Sequence, residues 1–515
     1  MIRRGAILAG VLVTLAVAAT AHAASIAERT LRASLGVNGT EGTGDARHAA
    51  ISGNGRYVAF DSDAGNLALD PNGPIRDVFV RDVDGNVTSL ASQAPDGSPA
   101  NGPSTVPALS GDGRQVAFVS GATNLVAGDT NGADDIFVRT AGTLARVSVA
   151  ADGAQADGPS AEPDISEDGR FIAFSSLATN LVPGDANGQS DVFVKDRLTG
   201  AIRLVSQAGG TSAAGSSRAP SISPDGRYVS FWSDAGNLTS RDDNGVGDVF
   251  LADLRTATIQ PISVSTQGRF QNKSVAAPFV QISDVSRSGQ FVAFDSDATN
   301  LVARDTNRST DVFVRDVHQG ATLRVSVSER LRQGNNDSFY PTISDDGRFV
   351  AFESFANNLS NHDGPGEDLF MFDLAYQADV LLDVRSDGGR KRRESIRQLL
   401  QRPAIANDGR RAAFSSTAGN LTSGDDNRHQ DVFTRLLTPP RARIGMATRV
   451  AQGARFRVTA DDPAATDFRC YVDGQIFRCG RLPLLRPGRH TLRVFAGGAG
   501  MLFQARPAQK RFTVG

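Results

Sequence analysis

Five stretches of the chain carry an aspartate, an asparagine two positions on and a second aspartate four positions further: Asp129, Asn131 and Asp135; Asp185, Asn187 and Asp191; Asp242, Asn244 and Asp248; Asp305, Asn307 and Asp311; Asp425, Asn427 and Asp431. Asp70, Asn72 and Asp77 form a slightly longer version, and a further copy keeps Asp363 and Asp368 but has Pro365 where the asparagine belongs. Oxygen ligands at alternate positions of a glycine-containing loop suit a hard cation, which makes calcium the one cofactor this chain suggests. Against it, calcium takes about six to eight oxygens, and the distant bidentate glutamate of an EF-hand loop is missing. The competing reading needs no metal: Asp and Asn side chains bond neighbouring backbone groups as Asx-turns and stiffen the loop. Recurrence in every copy favours this second reading, because scaffolding must recur and a binding site need not.

Other chemistry is sparse. The chain has no Gly-x-Ser-x-Gly elbow, no His-Glu-x-x-His and no phosphate-binding glycine loop, so no catalytic residue is assigned. Its six histidines recur at no repeat position, so they form no convergent metal set. A pair of acids drawn from different repeats, as a glycosidase uses, stays open. Aromatic residues gather where copies depart from the repeat: Trp232, Phe270, Phe339, Tyr340 and Phe355, with His362 nearby. Together they make a candidate contact patch for a protein or glycan; the alternative is packing within longer loops.

The elements that must position these residues follow from a repeat. Its Gly-Arg step falls at Arg56, Arg114, Arg170, Arg227, Arg348 and Arg410, with Gly289-Gln290 as the fifth copy, at spacings of 58, 56, 57, 63, 58 and 62 residues. Each copy reads as four strands, in one case ending at Ile165, then Phe171 to Phe174, Val192 to Val194 and Ile202 to Val205. Asp168-Gly169 supplies the positive φ of a tight hairpin between the first two. Phe171-Ile172-Ala173-Phe174 and Val192-Phe193-Val194 are apolar on both faces, so each sheet must be covered on both sides. Stacking such sheets around an axis meets that demand.

The fold class expected is therefore all-β: a seven-bladed β-propeller over residues 24–438 with a small β-sandwich after it. The last copy ends after Asp431 to Arg435 without a fourth strand, and an orphan strand, Arg29 to Ser34, stands near the N-terminus. That strand is expected to complete the last blade and remove two exposed sheet edges.

The string Ile222-Ser223-Pro224-Asp225-Gly226-Arg227-Tyr228-Val229-Ser230-Phe231, followed by Asp248 to Asp253, resembles the WD-repeat-like propeller repeats of the TolB type. The resemblance spans about 400 residues and implies an exported β-propeller used as a binding or scaffolding surface. This chain departs from TolB itself in its longer loop after the second strand and in lacking a separate N-terminal α/β domain. Residues 441–515 change pattern: Phe468 to Gly474, Cys479 and Gly488 to Val494 resemble bacterial immunoglobulin-like or fibronectin-like modules, generally spacers or adhesive units. Cys470 and Cys479, the only two cysteines, are expected to form a disulfide across a hairpin turning at Asp473-Gly474.

Residues 1–23 read as a secretory signal: Arg3 and Arg4, an apolar run from Ala6 to Ala19, and Ala21-His22-Ala23. The run falls short of the roughly 20 residues of a transmembrane span, which places the protein outside the cell or in the envelope. With 54 basic and 56 acidic residues the net charge of −2 offers no basic surface for nucleic acid or anionic membrane. The expected protein is a secreted, non-catalytic propeller with a protein or glycan partner; the alternative is a propeller hydrolase or lyase acting on extracellular carbohydrate. Its oligomeric state stays open, a monomer being the simpler expectation.

Overall fold

The computed structural model describes residues 30–68, 72–275, 281–328, 331–360, 366–375, 377–386, 389–392, 402–437, 442–460, 467–497 and 507–514. The signal segment, Arg29, Asp70, His362, Asp363 and Pro365 lie outside the described residues. Among those described, no helix is long and apolar enough to cross a membrane.

The described residues form seven four-stranded antiparallel sheets. Sheet 1 comprises Ala46–Ile51, Tyr57–Ser62, Asp77–Asp82 and Val87–Leu90; sheet 2, Ser104–Leu109, Gln115–Ser120, Asp135–Thr140 and Thr143–Arg146; sheet 3, Ser160–Ile165, Phe171–Ser176, Asp191–Asp196 and Ile202–Leu204. Sheet 4 comprises Ser217–Ile222, Tyr228–Ser233, Asp248–Asp253 and Thr258–Pro261; sheet 5, Ser283–Val285, Phe291–Ser296, Asp311–Asp316 and Ala321–Arg324; sheet 6, Ser338–Ile343, Phe349–Ser354, Asp368–Asp373 and Ala378–Leu381. Sheet 7 comprises Ala404–Ile405, Arg411–Ser416 and Asp431–Leu436, and its fourth strand is Thr30–Arg32, paired Thr30 to Arg435 and Arg32 to Phe433.

Neighbouring sheets pack face to face, and the first strand of each touches the first strand of the next, that of sheet 7 touching that of sheet 1. Each sheet carries a phenylalanine pair on its second and third strands, such as Phe174 and Phe193 with ring centroids 5.9 Å apart, both fully buried. Successive apolar clusters lie between sheets, such as the one joining Val138 of sheet 2 to Phe174 of sheet 3. This is the all-β construction of a β-propeller, built because no sheet can leave either face in water.

The turn between first and second strands is closed by its own polar residues. Ser166 Oγ donates to Asp168 Oδ1 at 2.7 Å, and Asp168 Oδ1 also accepts from the Arg170 N–H. Gly226, at φ 72°, has two reasons to be glycine: its conformation, and the Phe171 ring of the preceding sheet, 2.4 Å from where a Cβ would stand. The turn arginine then reaches the end of the third strand, as Arg170 does to both oxygens of Asp196 at 2.9 and 2.7 Å.

The C-terminal residues form a five-stranded sheet, ordered Arg449–Val450, Ala508–Val514, Gly488–Gly497, Asp467–Val472 and Gln475–Phe477, and a two-stranded one, Ala442–Gly445 with Arg457–Ala460. Both contribute to one apolar cluster around Leu492, Val494 and Phe512. Gly488–Gly497, the longest of these strands, pairs on both sides. Cys470 and Cys479 are disulfide-bonded across the Asp473-Gly474 turn.

Arg435 is fully buried and donates to Thr30 Oγ1 at 2.7 Å and to the Arg385 carbonyl at 2.9 Å, tying the N-terminal strand to sheets 7 and 6. Replacing it with leucine should remove about 3 kcal/mol. The variant is expected to melt earlier and to show faster amide hydrogen exchange at Thr30–Arg32; unchanged protection of that strand would refute this assignment.

Candidate functional site

The aspartate that opens each third strand is a buried anchor. In sheet 3, Ser206 Oγ, just past the fourth strand, donates to Asp191 Oδ1 at 2.6 Å, and Asn187 Nδ2 donates to Asp191 Oδ2 at 2.7 Å and to the Ala213 carbonyl at 2.9 Å. Asp77 with Asn72, Asp135 with Asn131, Asp248 with Asn244 and Asp311 with Asn307 repeat this geometry. In sheet 7, Asn427 donates instead to the Gly42 carbonyl, and Ser34 Oγ holds Asp431. The asparagines thus bond the loop to itself and to the next connection.

What balances the buried carboxylates differs among sheets. Arg146 Nη1 stands 3.1 Å from Asp129 and 3.2 Å from Asp135; Arg324 Nη1 stands 3.3 Å from Asp305 and 3.1 Å from Asp311; Arg32 Nη1 stands 3.6 Å from Asp425 and 3.3 Å from Asp431. In sheet 6, where the serine is replaced by Asp383, Lys391 Nζ lies 2.7 Å from Asp383 and 3.7 Å from Asp368. Sheets 3 and 4 have Leu204 and Pro261 at the arginine's position. Burial there pushes Asp191 up to about 6 and Asp248 up to about 7. Among the described residues no three acidic, histidine or cysteine side chains converge as a metal cluster.

A second acidic set lies between the first strands, and nothing in the repeat reading singled it out. The first strands of sheets 1, 2, 3, 4 and 6 bulge at His48, Val106, Glu162, Ala219 and Tyr340, all at φ between 50° and 55°. For β-branched Val106 such a conformation is strained. Carboxylates of the preceding sheet hold several of these bulges: Asp61 Oδ2 accepts from the Val106 N–H at 3.2 Å, Glu162 Oε2 from Ala219 at 2.8 Å, and Asp295 Oδ2 from Tyr340 at 3.1 Å. Deeper, Asp164 accepts from the Ile222 N–H, and Asp284 accepts from Ser221, Thr342 and the Ile343 N–H while Arg402 Nη2 stands 3.0 Å away. At the turns, Glu167 of sheet 3 meets Arg287 of sheet 5 at 2.5 Å and Asn407 of sheet 7 at 3.0 Å. The available signal was a charge inside an apolar strand: Asp61 and Asp295 stand where other copies have Val119, Ser175 or Ser415.

The aromatic residues do not form the exposed cluster expected. Phe339 is buried, its ring 6.0 Å from that of Tyr340, and Phe270 packs into the core of sheet 4. Trp232 lies over Gly247 and its Nε1 donates to Ser274 Oγ at 3.3 Å. Phe355 is half-buried, and among the described residues no ring contact joins Trp232, Phe270 or Phe355 to the Phe339–Tyr340 pair. The physical reason is that Trp232, Phe339 and Tyr340 lie within strands of sheets 4 and 6, where neighbouring strands and loops cover their rings in part or in full. A surface cleft of about 410 Å³ does open between sheets 3 and 4, lined by Arg170, Phe171, Arg203, Arg227, Leu254 and Arg255.

Asp295 is fully buried, and burial pushes its carboxyl up to about 7 despite two backbone N–H donors; Asp297 and Tyr340 are its nearest titrating neighbours. The folded state therefore holds a proton that the unfolded chain releases near pH 4, so stability falls as pH rises from about 4 to about 7, by up to 1.4 kcal/mol per pH unit. Asp295→Asn should flatten that part of a denaturant-midpoint against pH profile, and an unchanged slope would assign the dependence elsewhere.

No family model matches the chain, and no curated protein does. Among solved structures, TolB from Acinetobacter baumannii is 14% identical over 76% of this chain and 78% of its own, with a TM-score of 0.37. An oligogalacturonate lyase in complex with manganese is 10% identical over 77% of this chain and 90% of its own, TM-score 0.46. The β-propeller domain of the Trilobed protease from Pyrococcus furiosus, described as having an open velcro topology, is 10% identical over 76% and 95%, TM-score 0.45. Over most of its length the chain is similar to TolB-like and other β-propeller structures, a likeness of fold alone.

Proposed function

We propose that this protein is an exported, non-catalytic scaffold: a seven-bladed β-propeller closed by its N-terminal strand, followed by an immunoglobulin-like module, presenting a surface to a protein or glycan partner. One observation carries the non-catalytic reading. The acids that break the repeat are engaged in holding neighbouring sheets, as Asp284 is by Ser221, Thr342, Ile343 and Arg402. An acid so saturated with donors is a poor general base, because proton uptake would break the bonds that hold it. Closure is supported by the Asn407 N–H bonding the Gly53 carbonyl, which ties sheet 7 to sheet 1, and by Glu167 bridging sheets 3, 5 and 7. A signal segment and the disulfide fit export.

The full mature chain, immobilised and screened against cell-wall polysaccharides, glycan arrays and envelope protein extracts, is expected to retain a defined partner without altering it. Turnover of a uronate-containing or other polysaccharide, lost on Asp284→Asn in a variant that keeps its far-ultraviolet spectrum, would overturn the non-catalytic reading.

A further inference from the structure

In sheets 2, 5 and 7 an arginine occupies the space between the loop carboxylates, and in sheet 6 Lys391 lies between Asp368 and Asp383, whereas in sheet 3 no basic side chain does so. Leu204 stands where Arg146, Arg324 and Arg32 stand in the other copies, two residues before the serine that binds the third-strand aspartate. Among the described residues no basic side chain comes within ion-pair range of Asp185 or Asp191. Asp185 is 7% exposed; its carboxylate accepts from the Asn187 N–H and meets the carboxyl of Asp191, while its Oδ1 has no hydrogen-bond partner. The rest of the loop matches its arginine-bearing counterparts: Asn187 fixes Asp191 as Asn131 fixes Asp135, and Ser206 fixes it as Ser148 does.

Two desolvated carboxylates side by side repel, and three sister loops remove that repulsion with a guanidinium. We propose that sheet 3 binds one hard cation of the calcium type between Asp185 and Asp191, in the place the arginine fills in sheets 2, 5 and 7. The orphan Oδ1 of Asp185 and the Asp191 carboxylate are its protein ligands, and water completes the shell. So few protein oxygens put the affinity in the weak range of extracellular calcium modules, about 0.1 to 1 mM. The site is an addition to the scaffold: it would stiffen one loop whatever partner the protein binds.

The test uses the full mature chain, stripped with chelator and titrated with calcium chloride against matched sodium chloride. Expected are saturable binding by titration calorimetry in the range above and a melting temperature that rises with calcium concentration. Leu204→Arg should supply the guanidinium internally, melting no lower than the calcium-free parent and losing the calcium response. Asp185→Asn should lose the response as well and serves where the arginine variant fails to fold. Absence of binding and of any thermal shift at about 10 mM calcium, or a response undiminished in both variants, would overturn the proposal.

Discussion

A four-stranded sheet that is apolar on both faces has no stable existence alone, and the structure follows from that demand. The phenylalanine of each second strand lies against that of the third, as Phe294 does against Phe313 at 5.6 Å, and the next sheet covers the pair. Truncating such a ring in a packed interior costs about 3–5 kcal/mol, more than a surface ion pair contributes. Covering every face leaves the two ends of the array as the only problem. Thr30–Arg32 pairs with Asp431–Leu436, so the strand farthest away in sequence lies beside the last copy.

Burial on this scale imposes an electrostatic cost that is answered locally. In every sheet but the sixth the third-strand aspartate is held by a serine just past the fourth strand, and the bulged first strands of sheets 2, 4 and 6 are held by acids from the sheet before. A positive φ at Val106 or Tyr340 costs about 1–3 kcal/mol, and a hydrogen bond contributes about 0.5–1.5 kcal/mol, more where the acceptor is charged. The terms are comparable, which is why an acid such as Asp61 or Asp295 can hold a backbone conformation that the residue alone disfavours. Asp61 has Arg76 Nη1 at 2.6 Å, whereas Thr310 occupies the corresponding place beside Asp295. The same interior position thus faces a guanidinium in one sheet and, among the described residues, none in another, where burial pushes the Asp295 carboxyl up to about 7.

Much of the fold was legible in the sequence because its determinants are local. Asp-Gly turns and doubly apolar strands locate each copy, and the strands extend one or two residues past their apolar cores only where polar ends pair, as Ser176 does with Asp191. The internal role of Asn131 or Asn187 was legible too, since Asx chemistry is short-range. What was hidden depends on contacts between residues from 11 to 399 positions apart. Arg146 and Asp135 are neighbours only once the fourth strand has paired, yet the Arg-x-Ser string of Arg146–Ser148, Arg324–Ser326 and Arg32–Ser34 was visible and could have flagged it. The aromatic residues misled for a related reason: whether Phe339 faces water is decided by the adjoining sheet.

Near-equality of 54 basic and 56 acidic residues also acquires a structural meaning. Arg56 with Asp82, Arg170 with Asp196, Arg227 with Asp253 and Arg348 with Asp373 pair the turn of one strand with the end of another, and each arginine also lies over the ring that follows it. A guanidinium held by two carboxylate oxygens and an aromatic face has few donors left for a ligand. Much of the charge is therefore already matched within the framework, and long-range steering of a charged partner is weak. The cleft between sheets 3 and 4 carries Arg203 and Arg255, which stand outside these turn pairs.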